Sequence, residues 1–194
     1  MRRIARSCIF VLCVVFLISV SGMMSLGGDH GYVGSKKCKM CHLKEYKSWE
    51  QTKMATAFDT LKPGARAEEK KAAGLDPDKD YSADAECVPC HSTGHGESGG
   101  FVDIATTPDL AGVGCEMCHG PGETYLQPEH MSLKNKEYKK ADLVAVGMVG
   151  EITIKQCENC HNSKSPFVGE DYVFDFEANK EEGTHEKFPL KYKH

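Results

Sequence analysis

The chain has 194 residues, a formal charge of −4 and 40% hydrophobic residues, which excludes collagen-like and wholly disordered classes. Ten cysteines are an unusually large number for this length. In a reducing cytosol they would not form disulfides, so they would be either free thiols or metal ligands. One tryptophan and eight phenylalanines make a thin aromatic core for this length. The composition therefore predicts that something other than side chains fills part of the interior.

The first 28 residues differ from the rest and predict an export signal. Three arginines precede an uncharged run over residues 7–28, whose apolar part has the length of a secretory h-region. Small residues favour cleavage between residues 21 and 28. The alternative is an uncleaved membrane anchor, because the apolar stretch reaches Leu26 and a span needs about 20 residues. Either interpretation places residues 29–194, as a single domain, in the periplasm or outside the cell.

The charge of the predicted mature chain argues against a nucleic acid partner. Removal of residues 1–28 leaves 21 basic and 28 acidic residues, a formal charge of −7. Binding to a phosphate backbone favours a basic surface instead.

Four copies of the motif C-x-x-C-H contain all eight cysteines of the mature chain. Two thiols three positions apart can add to the two vinyl groups of one porphyrin, and the following histidine then coordinates the iron from the proximal side. The motif residues are Cys38, Cys41 and His42; Cys87, Cys90 and His91; Cys115, Cys118 and His119; and Cys157, Cys160 and His161. The spacing therefore predicts four covalently bound c-type haems.

Two other site types use paired cysteines, zinc ribbons and disulfide frameworks. Neither requires a histidine after every second cysteine. All four copies carry that histidine, and no mature cysteine is left over. The haem interpretation is therefore favoured over both.

The predicted elements along the chain are short helices joined by long loops. Apolar residues at three- and four-residue spacing predict an amphipathic helix over residues 43–61, and a shorter helix is expected over 65–73. Residues 172–176 alternate like a strand, but an isolated segment is better interpreted as an extended arm against a porphyrin. The predicted fold is a mainly α, small multihaem cytochrome whose core is dominated by haem.

Distal ligands decide whether each iron only transfers electrons or also binds a small molecule. A helix rises 1.5 Å per residue, so Met54 on a straight helix would lie about 18 Å from His42 and could not bind the same iron. The remaining histidines could equally be surface residues, and Met54 could be an ordinary core residue. The candidates outside the motifs are His30, His95, His130, His185, His194, Met54, Met131 and Met148.

Three stretches extend beyond the bare motifs and resemble the tetrahaem cytochrome c-554 family. They are Gly34-Ser-Lys-Lys-Cys-Lys-Met-Cys-His42, Leu75-Asp-Pro-Asp-Lys-Asp-Tyr81 followed by Cys87-Val-Pro-Cys-His91, and Gly112-Val-Gly-Cys-Glu-Met-Cys-His-Gly-Pro-Gly122. The best-known members of this family carry electrons from hydroxylamine oxidoreductase during ammonia oxidation. The resemblance implies a mostly helical electron carrier with haems in close pairs.

The resemblance also implies distal positions for individual haems. His130 matches the distal ligand of the haem on His42, and His185 matches that of the haem on His161. The haem on His91 corresponds to the five-coordinate haem of the family. Its open face is expected near Ser165, Pro166 and Phe167, the nearest match to a family segment.

Two departures from the family pattern affect what the resemblance implies. Met54 stands where the family has a histidine that serves the third haem, so the His119 haem is expected to be either His/Met-ligated or open. The family members of ammonia oxidation look rich in lysine, whereas the predicted mature chain is acidic. The resemblance therefore does not imply that hydroxylamine oxidoreductase is a partner of this chain.

The sequence predicts an exported tetrahaem cytochrome that relays electrons between redox proteins. A basic patch at residues 134–140 and an acidic stretch over residues 170–186 are either solvated faces or docking surfaces. One alternative function is small-molecule reduction, for example of nitric oxide, at an open His91 haem. The other is a homo-oligomeric conducting filament in which His30 reaches a neighbouring subunit.

Overall fold

The computed structural model describes residues 30–181 and 183–190, so the predicted export signal and His194 lie outside the described residues. Among the described residues, the extended pairing is a single bridge between Ser92 and Ala111. The prediction of a mainly α fold with long loops is confirmed. The α-helices are α1 (Ser35–Cys38), α2 (Leu43–Trp49), α3 (Ala67–Ala72), α4 (Val88–His91), α5 (Glu116–His119), α6 (Lys140–Val144), α7 (Ile154–Glu158) and α8 (Phe176–Asn179), and two 3₁₀ helices cover Ala57–Leu61 and Pro108–Leu110. None of these helices is long and apolar enough to cross a membrane.

Several short helices overlap the cysteine motifs. Helix α1 ends at Cys38, α4 ends at His91 and α5 ends at His119. Helix α7 contains Cys157. One helical turn places residues i and i+3 on the same face, which aligns the two cysteines of a motif.

The predicted helix over residues 43–61 is interrupted. It consists of Leu43–Trp49, a series of turns, and the 3₁₀ helix Ala57–Leu61. The carbonyl oxygen of Met54 accepts a hydrogen bond from the amide of Val113 at 3.0 Å. This long-range bond takes a carbonyl that a continuous helix would use internally, so the straight-helix expectation is wrong.

The other two predicted segments have the expected character. The short helix expected over residues 65–73 is α3. Residues 172–175 belong to no helix or strand, and α8 begins at Phe176. The alternating pattern therefore marks an extended arm and not a strand.

The hydrophobic core of the described residues is small and lies beside the second motif. The rings of Phe58 and Phe101 pack with centroids 5.1 Å apart. Val88, the first residue of α4, belongs to the same cluster. The cluster comprises Phe58, Leu61, Tyr81, Val88, Phe101 and Leu110. So small a core agrees with an interior that depends on large prosthetic groups.

Candidate haem sites

Three of the four motifs are held in one helical turn by a backbone bond from the histidine amide to the first cysteine, and in the second motif the Cys90 amide donates to the Cys87 carbonyl at 3.2 Å. The amide of His42 donates to the Cys38 carbonyl at 2.9 Å, and His119 makes the same bond to Cys115 at 2.9 Å. In the fourth motif the corresponding bond measures 2.8 Å. This turn presents both thiols and the imidazole to the same region, as porphyrin attachment requires.

Thiols of different motifs meet in two pairs. Before haem attachment, a hydrogen bond between Cys38 and Cys115 raises the pKa of Cys38 and lowers that of Cys115 to about 6. Cys90 is likewise hydrogen-bonded to Cys160, which lowers the pKa of Cys90 to about 7. The first motif is therefore a neighbour of the third, and the second is a neighbour of the fourth.

The third and fourth motifs are also close together. Burial raises the pKa of Cys118 to about 11, and the charge of the nearby Cys157 adds to this rise. The charge of Cys118 in turn contributes to the raised pKa of Cys160. The motifs thus lie in the spatial order first, third, fourth and second.

A cavity of about 540 Å³, called the first cavity, lies between the second and fourth motifs. His91 lines it, with Nδ1 at 2.7 Å from the Ala57 carbonyl oxygen and 3.2 Å from Thr60 Oγ1. Because a carbonyl only accepts hydrogen bonds, Nδ1 carries the ring hydrogen. Nε2 therefore keeps its lone pair for a metal.

The segment expected near the open face does line the first cavity. Ser165, Pro166 and Phe167 are all on its wall, together with His91 and Cys160. Among the described residues, the wall contains no second histidine and no methionine. Its basic members are Lys53, Arg66, Lys70 and Lys164, and its acidic member is Glu86.

A cavity of about 420 Å³, called the second cavity, is shared by the first and third motifs. His42 and His119 line it, as do Cys38 and Cys115. Three candidate distal ligands are also on its wall: Met131, Met148 and His185. Both cavities fall within the volume range typical of cofactor sites, and their donor sets fit c-type haem.

His185 lies close to His119 beside the second cavity. The two ring centroids are 6.2 Å apart and the ring planes differ by 29°. With metal–nitrogen bonds of about 2 Å, two imidazoles on opposite sides of one ion have centroids about 6 Å apart. His185 Nδ1 donates to the Glu186 carbonyl at 2.7 Å, so its Nε2 is also free. Burial lowers the pKa of His119, and the adjacent His185 and His42 lower it further, which favours the neutral ligand form.

This placement differs from the expectation that His185 serves the His161 haem. The ring of His161 instead stacks on Phe174, with centroids 4.6 Å apart. The amide of Glu186 donates to Ser48 Oγ at 2.8 Å, which fixes the C-terminal segment against α2, the helix that follows the first motif. This tether holds His185 beside the second cavity.

Met54 and His130 line neither cavity. Met54 is half-buried, and its methyl group would lie 3.8 Å from a Cβ atom on Gly183. His130 is also half-buried, and its neighbour Met131 is on the wall of the second cavity.

Two further histidines have partners away from both cavities. His30 Nδ1 lies 2.8 Å from Thr124 Oγ1, within the same chain. His95 is exposed, and its Nδ1 lies 3.2 Å from the Phe101 carbonyl oxygen.

Sequence reasoning missed Glu116, a buried carboxylate inside the third motif. Its side chain is 2% exposed. It accepts hydrogen bonds from the amides of Val33, Gly34 and Gly122. The signal available in the sequence was a glutamate between motif residues with glycines before and after, which is a weak indication of burial.

Comparison with known proteins agrees with this geometry. The family described as "Cytochrome c554 and c-prime" matches residues 37–120. Cytochrome c-554 of Nitrosomonas europaea is 34% identical over 202 residues, which cover 93% of this chain and 86% of the relative. The solved structure of reduced cytochrome c554 from the same organism superposes with a TM-score of 0.75 at 34% identity, covering 84% of this chain and 88% of that chain.

The chain belongs to the cytochrome c-554 family. It is a c-type cytochrome that carries electrons, and its four C-x-x-C-H motifs hold four covalent haems. The predicted family and cofactor are therefore confirmed.

Proposed function

We propose that the protein is exported and relays single electrons between two redox proteins along its four haem sites. The observation that carries the proposal is that the motifs share cavities in pairs: the first and third motifs line the second cavity, and the second and fourth motifs line the first cavity. The proximity of the third and fourth motifs supports a continuous route through all four sites. The route runs in the order first, third, fourth and second motif.

When bound, the haems supply one-electron exchange between ferric and ferrous iron. For each electron that a reduced donor protein loses, an acceptor protein gains one, and the cytochrome returns to its starting oxidation state. The side chains attach, orient and insulate the groups. The proximal ligands in this proposal are His42, His91, His119 and His161.

The distal positions follow partly from the geometry and partly from the family. His185 serves the His119 haem, because its ring is placed to share one metal ion with His119. His130 serves the His42 haem, as the resemblance implies. The resemblance assigns Met54 to the His119 haem, but His185 takes that position in this proposal and Met54 lines neither cavity, so the proposal gives Met54 no iron.

Export rests on residues 1–28, with their three arginines and uncharged apolar run. The partner at the second cavity is proposed to be acidic. Tyr138 and Lys140, at the end of the basic patch 134–140, line this cavity, and Lys134 and Lys139 in the same patch are exposed. Opposite charges would guide the partner to the first and third haems.

A second candidate function is reduction of a small molecule at the His91 haem. It is favoured by the first cavity wall, which among the described residues offers no second histidine or methionine. For nitric oxide the balanced reaction joins two molecules with two electrons and two protons to give nitrous oxide and water. The filament alternative gains no such support, because His30 contacts Thr124 of its own chain.

Mass spectrometry and film voltammetry of the full chain, produced in cells that mature c-type cytochromes, test the proposal. We expect a mass with four haems, no cysteine of the mature chain open to alkylation, and four reversible one-electron reductions. A lower haem count, or an electron count below four, would contradict the relay. A sustained catalytic current with nitric oxide would favour the reductase instead.

A further inference from the structure

The carboxylate of Glu116 is enclosed by hydrogen-bond donors. The Val33 amide lies 3.0 Å from Oε1 and 3.2 Å from Oε2, the Gly34 amide lies 2.7 Å from Oε2, and the Gly122 amide lies 2.7 Å from Oε1. A protonated carboxyl group would need an acceptor for its hydrogen, and these partners only donate. The three amides therefore match the two acceptor oxygens of a carboxylate.

The local backbone is specialised to hold this anion. Gly34 has φ of 85°, a conformation that side chains rarely adopt. A Cβ atom on Gly122 would lie 3.0 Å from Glu116 Oε1, so a larger residue would crowd the carboxylate. The two glycines therefore allow the close approach of their amides.

No side-chain cation neutralises Glu116 in the described part of the chain. The ion pairs among the described residues all involve other carboxylates. Backbone amides are dipoles and leave the net charge of −1 in place. In a buried position this charge is weakly screened.

The charge is close to the second cavity. Glu116 begins α5, the helix that ends at His119, so the two residues lie one turn apart. Its field also contributes to the raised pKa of Tyr125, in which burial is the larger cause. Tyr125 lines the second cavity.

We propose that Glu116 is a fixed negative charge that lowers the reduction potential of the His119 haem and so gives the relay its direction. This inference rests on the proposed electron relay. A nearby anion stabilises ferric iron, which carries one more positive charge than ferrous iron. The wall of the first cavity carries four basic residues and one acidic residue, whereas the wall of the second cavity carries two basic residues and one acidic residue, so the His91 haem would lie in the more positive surroundings. The proposed direction of electron flow is therefore from the His119 haem towards the His91 haem.

In this proposal Glu116 has two roles. Its negative charge acts on the haem through the electric field, and its hydrogen bonds position the backbone of Val33 and Gly34. The test must separate these two roles. Glu116→Gln removes the charge and keeps one acceptor, whereas Glu116→Asp keeps the charge and shortens the side chain. Glu123→Gln is the matched control, because Glu123 is exposed and its Oε2 accepts from the nearby Gly31 amide at 2.9 Å.

Spectropotentiometry with EPR assignment of each haem gives the readout. In Glu116→Gln we expect the ferrous-to-ferric ratio of the His119 haem at fixed applied potential to rise about tenfold, equal to about 59 mV for one electron. In Glu116→Asp and in Glu123→Gln, we expect the ferrous-to-ferric ratio of the His119 haem to stay within about twofold of its value in the unmodified protein. An unchanged potential in folded Glu116→Gln, or an equal shift in Glu116→Asp, would overturn the proposal.

A second measurement covers the case in which Glu116→Gln does not fold. In the unmodified protein the His119 haem must have a lower potential than the His91 haem. The reverse order would overturn the proposal without affecting the haem count or the four-electron reduction. Loss of those two properties would instead contradict the proposed relay itself.

Discussion

The first and second cavities are built from the same motif, yet they surround it differently. The first cavity presents Phe167 and basic side chains to His91, and its wall contains no second histidine among the described residues. The second cavity is closed by the C-terminal segment, which places His185 opposite His119. The motif therefore determines attachment, and the segments that cross the cavity determine what the iron can bind.

The largest expected effect comes from opening the second cavity. His185→Ala should convert one of the four haems from low spin to high spin, because the imidazole facing His119 is lost. EPR and near-ultraviolet absorption measure this change. His95→Ala is the control, since His95 is exposed and its ring nitrogen faces the Phe101 carbonyl oxygen. A change of spin state at the His161 haem would instead show that His185 binds that iron, as the family resemblance implies, and would contradict its assignment to the His119 haem.

The second prediction concerns the first cavity in the unmodified protein. We expect cyanide or nitric oxide to bind one haem in four, at His91, and Phe167→Ala to accelerate binding by thinning the cavity wall. Phe167 is 53% exposed, so the substitution should cost little stability. Stopped-flow absorption follows the reaction. A wholly low-spin protein that neither ligand perturbs would contradict the open site and remove the difference between the cavities.

A third prediction tests the thioether of Met54. If Met54 binds iron, one haem should show the weak near-infrared band of His/Met coordination and a higher potential than its bis-histidine neighbours. Met54→His should abolish the band and lower that potential, and magnetic circular dichroism detects both ligand sets. Met40→His is the control because Met40 is 79% exposed. Unchanged spectra in Met54→His would assign Met54 to packing against Gly183.

The smallest expected effect comes from Thr60, and it tests how much the hydrogen bonds to His91 matter in the first cavity. Thr60→Val removes the hydroxyl that lies 3.2 Å from His91 Nδ1, while the Ala57 carbonyl remains. Loss of one such bond is worth about 1 kcal/mol, or roughly fivefold in ligand affinity or in the ferrous-to-ferric ratio of this haem. Ligand titration with spectropotentiometry measures it. Thr56→Val is the control, and an equal change there would show that the effect is not local to His91.

The four attachment motifs could be read from the sequence because their chemistry is local. Cys38, Cys41 and His42 lie within five positions, and the backbone turn that aligns them spans the same residues. The position of residues 165–167 on the first cavity wall came from family resemblance and not from any periodic pattern. Local spacing alone does not reveal which motifs become neighbours.

The features that the sequence alone does not locate depend on distant contacts. The helix after the first motif is interrupted because Met54 pairs with Val113, far along the chain. The location of His185 depends on a bond between Ser48 and Glu186, 138 positions apart. Burial of Glu116 likewise requires amides from another segment. In each case the deciding partner becomes a neighbour only after the chain has folded.

The bond between Ser48 and Glu186 also bears on the order in which the protein matures. A ribosome makes residue 48 long before residue 186, so the first three motifs emerge while the segment that closes the second cavity does not yet exist. The cysteines of the first motif are synthesised before those of the third motif, so the wall that the two motifs share cannot form until the third motif has been made. Closure of the second cavity is therefore a late event, and a chain truncated shortly before His185 would carry every attachment cysteine yet never complete that site.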